Sequence, residues 1–548
     1  MSNQKNRGGK NKRHADEVKI SSSSASRPAA IENGDGSGIV DELMNFKRQL
    51  ETDLVKTIMC EKTPAKGTVV IAKKDIPAGT TILAEPAIAW QPLEDRIMSV
   101  CHHCMTEVPR WAVGCGEGAG GCSGLGYCSP KCREASEALH RVEHKVFLQA
   151  RDIANRTKAD ITLIKLATRI IALRSLSEGH RVQFERGVMA MMGHEDECPQ
   201  QWVDSITETA KLVMPLLPKP ARLSAREFVK VCARINTNSH RQHHMFVPQR
   251  ILGVGLYPLA SLINHSCQPN CGFYNRGPTL YIRTLCDVKE GEELCYSYID
   301  LYQSRSKRKA ELLETKHFDC LCNRCSPPIT DSVDRYLSGF QCPNKAKTSC
   351  DGLLVLPDGE GLASEKPVSC TAGCGETKTA GDLLKAQKRA EIMLTASQSL
   401  YYDQKRTSDS KTMLDKLLTG GYSPDVQLHP YHPTVFQAHV DSINVSDALG
   451  YTHMSIDHCE AVLRCAEAVL PMNHLETSNY YYYQGMLYSE QLAKRQGAGG
   501  DAVAPAGDAA DDTRRAKEAF GKCHTMRSVW FGADHQCAIK PLEKMNAL

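Results

Sequence analysis

Gly255–Cys271 reads GLYPLASLINHSCQPNC. At its centre, Asn264-His265-Ser266-Cys267 sets polar side chains directly after the apolar run Leu259–Ile263. The pattern predicts a strand that ends in these residues and turns at Pro269-Asn270, which places them at a strand mouth and not in a core. The stretch occurs together with Gly291–Asp300, GEELCYSYID, and Cys320–Cys325, CLCNRC. Four residues alone carry little weight. Three segments in this order and spacing are specific.

The chain has 548 residues, enough for several domains, because single cores rarely grow past roughly 250–300 residues. Charged residues make up 24% and hydrophobic ones 41%, which is the balance of a folded globular protein. A net charge of +4 is small for this length and gives no case for nucleic acid as the main ligand. No apolar run is long enough for a membrane span, and no apolar secretory core lies near the N-terminus. The expectation is an intracellular protein, cytoplasmic and nuclear, with reduced thiols. Its 24 cysteines then need another explanation, and metal binding is the leading one.

Composition divides the chain. Residues 1–45 form a basic, Ser-rich tail with few large apolar side chains, expected to be disordered. Lys10–His14, KNKRH, fits a nuclear import signal or a plain solvated tail. Residues 50–98 carry strand signals at Val69–Ala72 and Thr80–Ala84 around the turn Pro77-Ala78-Gly79. Residues 101–144 are a cysteine cluster. Residues 150–240 have helical periodicity, with Ile161, Ile164, Ile170 and Ile171 on one pattern. Strand signals return over 245–300, followed by cysteine-bearing segments at 301–330 and 335–380. Residues 381–548 read as helical hairpins of tetratricopeptide-like style, interrupted by a linker at Gly497–Asp512. Helices are predicted over Thr452–Leu470 and Ala516–Phe531.

The first cluster offers Cys101-x2-Cys104, Cys115, Cys122, Cys128-x3-Cys132 and His140-x3-His144. Thiolate and imidazole suit tetrahedral zinc, and these residues fill two closed sites with no position left for water. Closed sites are structural. His140 and His144 lie one helical turn apart, so both can face one metal. Cys320, Cys322 and Cys325 supply three ligands and lack a fourth nearby. Cys342, Cys350, Cys370 and Cys374, around Gly352-Leu353-Leu354, fit a small zinc ribbon or are incidental.

The segments at 255–271, 291–300 and 320–325 together resemble the C-terminal half of a SET domain, the fold of protein-lysine methyltransferases. Gly126–Cys132, GYCSPKC, is similar to a MYND zinc finger. A MYND finger inside a split SET domain resembles the SET and MYND domain-containing (SMYD) family. The implied fold is α+β: a split SET β-fold with an inserted MYND zinc finger and helical insert, plus an all-α C-terminal tetratricopeptide-like domain. The resemblance covers about residues 50–330 through specific motifs.

The resemblance implies cross-braced zincs, one on Cys101, Cys104, Cys128 and Cys132, the other on Cys115, Cys122, His140 and His144. It supplies Cys267 as the fourth ligand beside Cys320, Cys322 and Cys325, giving three structural zincs, or four with the ribbon. It implies S-adenosylmethionine as cofactor, Tyr298 as the catalytic tyrosine that orients the amine, and Asn264, His265, Asn238 and Phe318 as cofactor contacts. Lys66, Gly67 and Thr68 would line the cofactor in the N-terminal glycine motif.

Departures from the family pattern touch this site. Val69 stands where the motif has a second glycine, and valine allows neither positive φ nor close approach cheaply. Lys316 stands where many relatives place an aromatic that walls the lysine channel, and its charge would repel a sulfonium or an ammonium. His144 replaces the usual final cysteine, and the Cys115–Cys122 gap is long and glycine-rich.

The expectation is an S-adenosylmethionine-dependent protein-lysine N-methyltransferase acting on histone or non-histone proteins in transcriptional regulation. The alternative is a catalytically weak or inactive scaffold that recruits proline-rich partners through its MYND finger.

Overall fold

The computed structural model describes residues 57–64, 66–108, 113–115, 125–244, 247–345, 349–497 and 508–548. The tail, the basic run at Lys10–His14 and Cys122 lie outside the described residues.

In chain order the first strands are β1 Ile58–Thr63, β2 Gly67–Ala72, β3 Thr81–Pro86 and β4 Ala89–Pro92. Short strands β5 Val113–Gly114 and β6 Gly126–Tyr127 follow within the first cysteine region. After a block of helices come β7 Ser239–His244, β8 Val247–Leu256, β9 Asn264–His265, β10 Cys271–Arg276, β11 Thr279–Thr284 and β12 Cys295–Tyr296. Residues far apart in the chain pair with one another. β3 runs antiparallel to β11, which pairs with β10, and β4 runs antiparallel to β8, which pairs with β7. The segments before and after the helical block are therefore one β-structure. Val70, Ile82, Leu259, Ile263, Leu280 and Tyr296 share its buried core.

The helical block starts earlier than the periodicity suggests. Ser129 caps helix Pro130–Thr157 by accepting from Cys132 N, and Pro130 is tolerated in the first turn, where its missing donor costs nothing. Helices Ile161–Arg174, Gln200–Val213 and Ala225–Asn238 pack with it around Leu166, Ile170, Val213 and Phe228. Ser224 and Glu227 form a reciprocal capping box that fixes the start of the last of these. Inside the block, buried Arg169 pairs with buried Glu143 at 2.8 Å and donates to Trp90 O, locking two helices onto β4.

One prediction fails at the opening stretch. Leu259–Ile263 is not a strand: Ala260–Leu262 is a 3₁₀ turn, and the chain becomes extended at Ile263 and pairs as a strand at Asn264–His265. The reason is local. The buried carboxylate of Glu85 accepts from Leu259 N at 3.0 Å and from Ala260 N at 2.8 Å, as a cap does, and it tightens the chain before the polar residues emerge.

Beyond helix Arg305–Lys316, strands β13 Gly339–Gln341, β14 Leu353–Val355, β15 Pro367–Ser369 and β16 Thr377–Thr379 build small hairpins. β17 Gln427–Leu428 pairs with β13. The remainder is helical from Ala380 onward, and the penultimate helix begins at Ala509 under an Asp508 cap, not at Ala516. Its Trp530 ring packs on β10 at Gly272: a Cβ there would meet the ring at 2.4 Å, so glycine is what allows the contact.

Candidate functional site

β9 and β12 run parallel, with Asn264 opposite Cys295 and His265 opposite Tyr296. This short pairing brings the Asn-His-Ser-Cys segment beside the segment that ends in Tyr298. The Asn264 amide reaches back to the first half of the β-structure, donating to Thr68 O at 2.9 Å and to Glu293 Oε1 at 3.0 Å. Glu293 also holds Lys66 Nζ at 2.5 Å. Lys66, Thr68, Asn264 and Glu293 thus form one polar junction. Gly67, within it, takes φ +69°, and a Cβ there would find no atom within 4 Å. Val69 is buried in regular register opposite Glu61, so positive φ falls on Gly67 alone and the valine is not strained.

Tyr298 is half-buried against His265 and Tyr296, with ring centroids 5.4 and 5.2 Å away. Its hydroxyl donates to Ile263 O at 2.7 Å. Burial pushes the phenol above its ordinary range, so the hydroxyl stays protonated. Tyr298 N donates to His265 Nδ1 at 3.0 Å, and His265 Nε2 faces Cys267 Sγ at 3.2 Å. Both nitrogens of that imidazole are engaged, so its side chain braces the site and has none left for a ligand. Burial lowers its pKa to about 4, which keeps the ring neutral. Phe318 faces the same ring at 6.2 Å. Asn238 ends its helix by donating to Met192 O at 2.7 Å and Arg234 O at 2.8 Å. Lys316 donates to Thr237 O at 2.6 Å and stands 5.6 Å from the Tyr298 ring centre.

The metal-type residues converge in the sets that the resemblance implies, as far as they are described. Cys101, Cys104, Cys128 and Cys132 gather in one group, Cys267, Cys320, Cys322 and Cys325 in a second, and Cys342, Cys350, Cys370 and Cys374 in a third, with the ligand atoms of each within 4.8 Å of one another. Cys115, His140 and His144 form a further group, and Cys122 lies outside the described residues. Four sulfurs around a zinc at about 2.3 Å stand about 3.8 Å apart. The pairs Cys128–Cys132, Cys267–Cys325 and Cys342–Cys374 lie at 3.5, 3.6 and 3.4 Å, which fits that tetrahedron.

Several residues of the site escaped sequence reasoning. Arg308, fully buried, donates to Cys267 Sγ at 3.3 Å and pairs with buried Asp334 at 2.7 Å. Arg324 and Arg305 pair with the same Asp334 at 2.8 and 3.2 Å. Helix Arg305–Lys316 begins RSKRK, which reads as a solvated face, so its sequence gave no sign of burial. His240, held neutral by burial and then by the charge of Lys316, contacts Tyr296 Oη through Nε2 at 2.6 Å. A cavity of about 320 Å³ lined by Glu460, Glu467, Tyr481, Arg515 and Lys522 shares no residue with the site.

A SET-domain family model matches residues 67–299, which span both halves of the β-structure and the helical insert between them. Relatives include the Drosophila melanogaster SET domain-containing protein SmydA-8, 26% identical over 54% of this chain and 62% of that protein. A Dictyostelium discoideum SET and MYND domain-containing protein is 26% identical over 48% of this chain and 58% of its own length. The chain carries a SET-domain match and is similar to proteins named for SET and MYND domains. Another relative, the Arabidopsis thaliana histone-lysine N-methyltransferase ASHR1, is 23% identical over 77% of this chain and 85% of its length. Against human SMYD3, also named a histone-lysine N-methyltransferase, identity is 42% over 15% of this chain and 19% of that protein. Among these relatives the chain thus spans from a fifth to most of the matched protein's length. No helix among the described residues is long and apolar enough to cross a membrane.

Proposed function

We propose that this chain is an S-adenosylmethionine-dependent protein-lysine N-methyltransferase acting on histone or non-histone proteins in transcriptional regulation. The observation that carries the reading is the junction of Lys66, Thr68, Asn264 and Glu293 next to Tyr298, drawn from both halves of the split fold. The curated relatives named as histone-lysine N-methyltransferases support the same class.

The residues fit such a cofactor. The backbone at Gly67 is open to approach, with no atom within 4 Å of where a side chain would start, and Phe318 offers an aromatic ring beside His265. Thr68, Asn264 and Asn238 would hold the cofactor's polar groups, with His265 contributing its backbone. S-adenosylmethionine, when bound, supplies a methyl group on a sulfonium. The protein must present a lysine amine without its proton, since a free lysine has pKa near ~10.4. Tyr298 would align that amine by its ring and hydroxyl, and the Ile263 carbonyl would favour developing positive charge. His265 fixes the Tyr298 backbone so that the alignment is built in.

Zinc in the cysteine groups would be structural. It would hold Cys101, Cys104, Cys128 and Cys132 together, and Cys115, Cys122, His140 and His144 together. A third ion on Cys267, Cys320, Cys322 and Cys325 would pin Phe318 to the segment that carries Asn264. A fourth would close the ribbon of Cys342, Cys350, Cys370 and Cys374. The helical C-terminus would be a tetratricopeptide-like wall for an extended protein substrate, and the protein would work in cytoplasm and nucleus.

A second reading is a scaffold that recruits proline-rich peptides through the MYND finger. The position of Lys316 over Tyr298 favours it, because a cation opposes the transfer site. Calorimetry with S-adenosylmethionine and S-adenosylhomocysteine separates the two. Binding that falls about tenfold in Asn264→Ala supports the enzyme, and a zinc-loaded wild type that binds neither compound sinks it.

A further inference from the structure

Lys316 is the last residue of helix Arg305–Lys316. His317 follows in the left-handed conformation, φ +61°, and turns the chain toward Phe318 and the Cys320 group. The helix is itself anchored by Arg305 and Arg308 on buried Asp334. The backbone of Lys316 is therefore held from both sides, and its side chain extends from a fixed point. Its ammonium stands over the ring of Tyr298, 5.6 Å from the centroid, and donates to Thr237 O at 2.6 Å. Thr237 precedes Asn238, so the amine bridges the end of one helix and the tyrosine.

Its surroundings do not neutralise it. Among the described residues Lys316 forms no ion pair with a carboxylate. The charged neighbour that acts on it is Arg241, a like charge, and burial with that charge lowers the amine to about pKa 8. His240 beside it is neutral. A half-buried amine on an aromatic face, satisfied by one carbonyl and no acid, has the contacts expected of a lysine side chain delivered to an amine-accepting site.

We propose that Lys316 occupies, in cis, the place beside Tyr298 that an incoming substrate amine takes. This rests on the methyltransferase reading above and deepens it. The chain carries its own occupant of the amine site, and a substrate lysine must displace it. The same amine would oppose a sulfonium bound next to Tyr298, whereas S-adenosylhomocysteine, a neutral thioether, would not be opposed. Lys316 would thus bias the site toward the spent cofactor.

The test needs no knowledge of the protein substrate. Calorimetry on zinc-loaded full-length wild type, Lys316→Met and Lys316→Arg compares the affinities for S-adenosylmethionine and S-adenosylhomocysteine. Lys316→Met should tighten S-adenosylmethionine on the order of tenfold while changing S-adenosylhomocysteine less than about twofold. Lys316→Arg keeps the charge and should keep the wild-type ratio, which separates charge from shape. An unchanged ratio in Lys316→Met, or an equal change for both compounds, overturns the inference and leaves the methyltransferase reading standing. If no protein binds either compound, the methyltransferase reading falls and this inference with it.

Discussion

Asn264 donates its side-chain amide to the backbone carbonyl of Thr68 at 2.9 Å. That bond joins the two parts of a fold interrupted by a zinc-finger-type region and a block of helices. The same amide meets Glu293 Oε1 at 3.0 Å, so one side chain satisfies two acceptors. Asn264→Ala should cost about 1–2 kcal/mol in urea unfolding. Asn264→Asp should cost more, because it sets a carboxylate against both Glu293 and a carbonyl. Equal losses for the two variants would contradict the junction.

The Tyr298 hydroxyl donates to Ile263 O at 2.7 Å, and the ring keeps its packing when that oxygen is removed. Tyr298→Phe should therefore melt within about 1 kcal/mol of wild type and bind cofactor normally. Methyl transfer should fall at least about hundredfold, the range of a lost positioning group. A variant that retains full transfer would remove Tyr298 from the mechanism.

Much of this arrangement was legible from residue spacing. Cysteine pairs two and three residues apart announce metal geometry because few other constraints demand it; three groups of four cysteines gather, and Cys115, His140 and His144 gather among the described residues. The polar residues after Ile263 announced the end of the apolar run, but not a strand mouth: His265, Ser266 and Cys267 are buried among the tyrosines and the cysteine group. What escaped reading were contacts set by tertiary burial. Glu85 looks like a turn residue before Pro86, yet it is 3% exposed and caps the turn that precedes Asn264. Arg308 lies in a charge-rich helix that reads as solvated, yet it is 0% exposed. The sequence marks a charge but not the buried partner that lets it enter a core. Lys316 was visible as a departure, but its perch on Tyr298 needed the position of the helix end.

Arg308 ties Asp334 to the sulfurs of Cys267 and Cys325. Arg308→Met leaves Asp334 short of a partner and should destabilise the protein by about 3–5 kcal/mol. It should also speed loss of one zinc to a chelator, followed by elemental analysis. Wild-type zinc retention in the variant would contradict a supporting role for the guanidinium.

Elemental analysis of the purified chain should find close to four zinc ions, one for each group of cysteine and histidine ligands. Cys342→Ser should remove one and leave the others. One ion or none in the wild type would overturn the metal assignments, and an unchanged count in Cys342→Ser would remove the ribbon site alone.

Burial raises the Glu85 carboxyl from 4.5 to about 7. The folded state therefore holds this proton more tightly than the unfolded chain does. The stability it contributes is complete below about pH 4.5 and is lost as pH rises through about 7, on the order of 3 kcal/mol in all. Glu85→Gln should flatten that part of the profile in urea unfolding at about pH 5 and about pH 8. An identical pH slope in both proteins would show that Glu85 is ionised throughout.

The central claim is tested most directly by incubating the zinc-loaded protein with methyl-labelled S-adenosylmethionine and either core histones or cell extract, then locating the label by mass spectrometry. Label should appear on lysine Nζ of one or more proteins with wild type and almost none with Tyr298→Phe. Cofactor binding without any labelled lysine, or equal labelling by the two proteins, would contradict it.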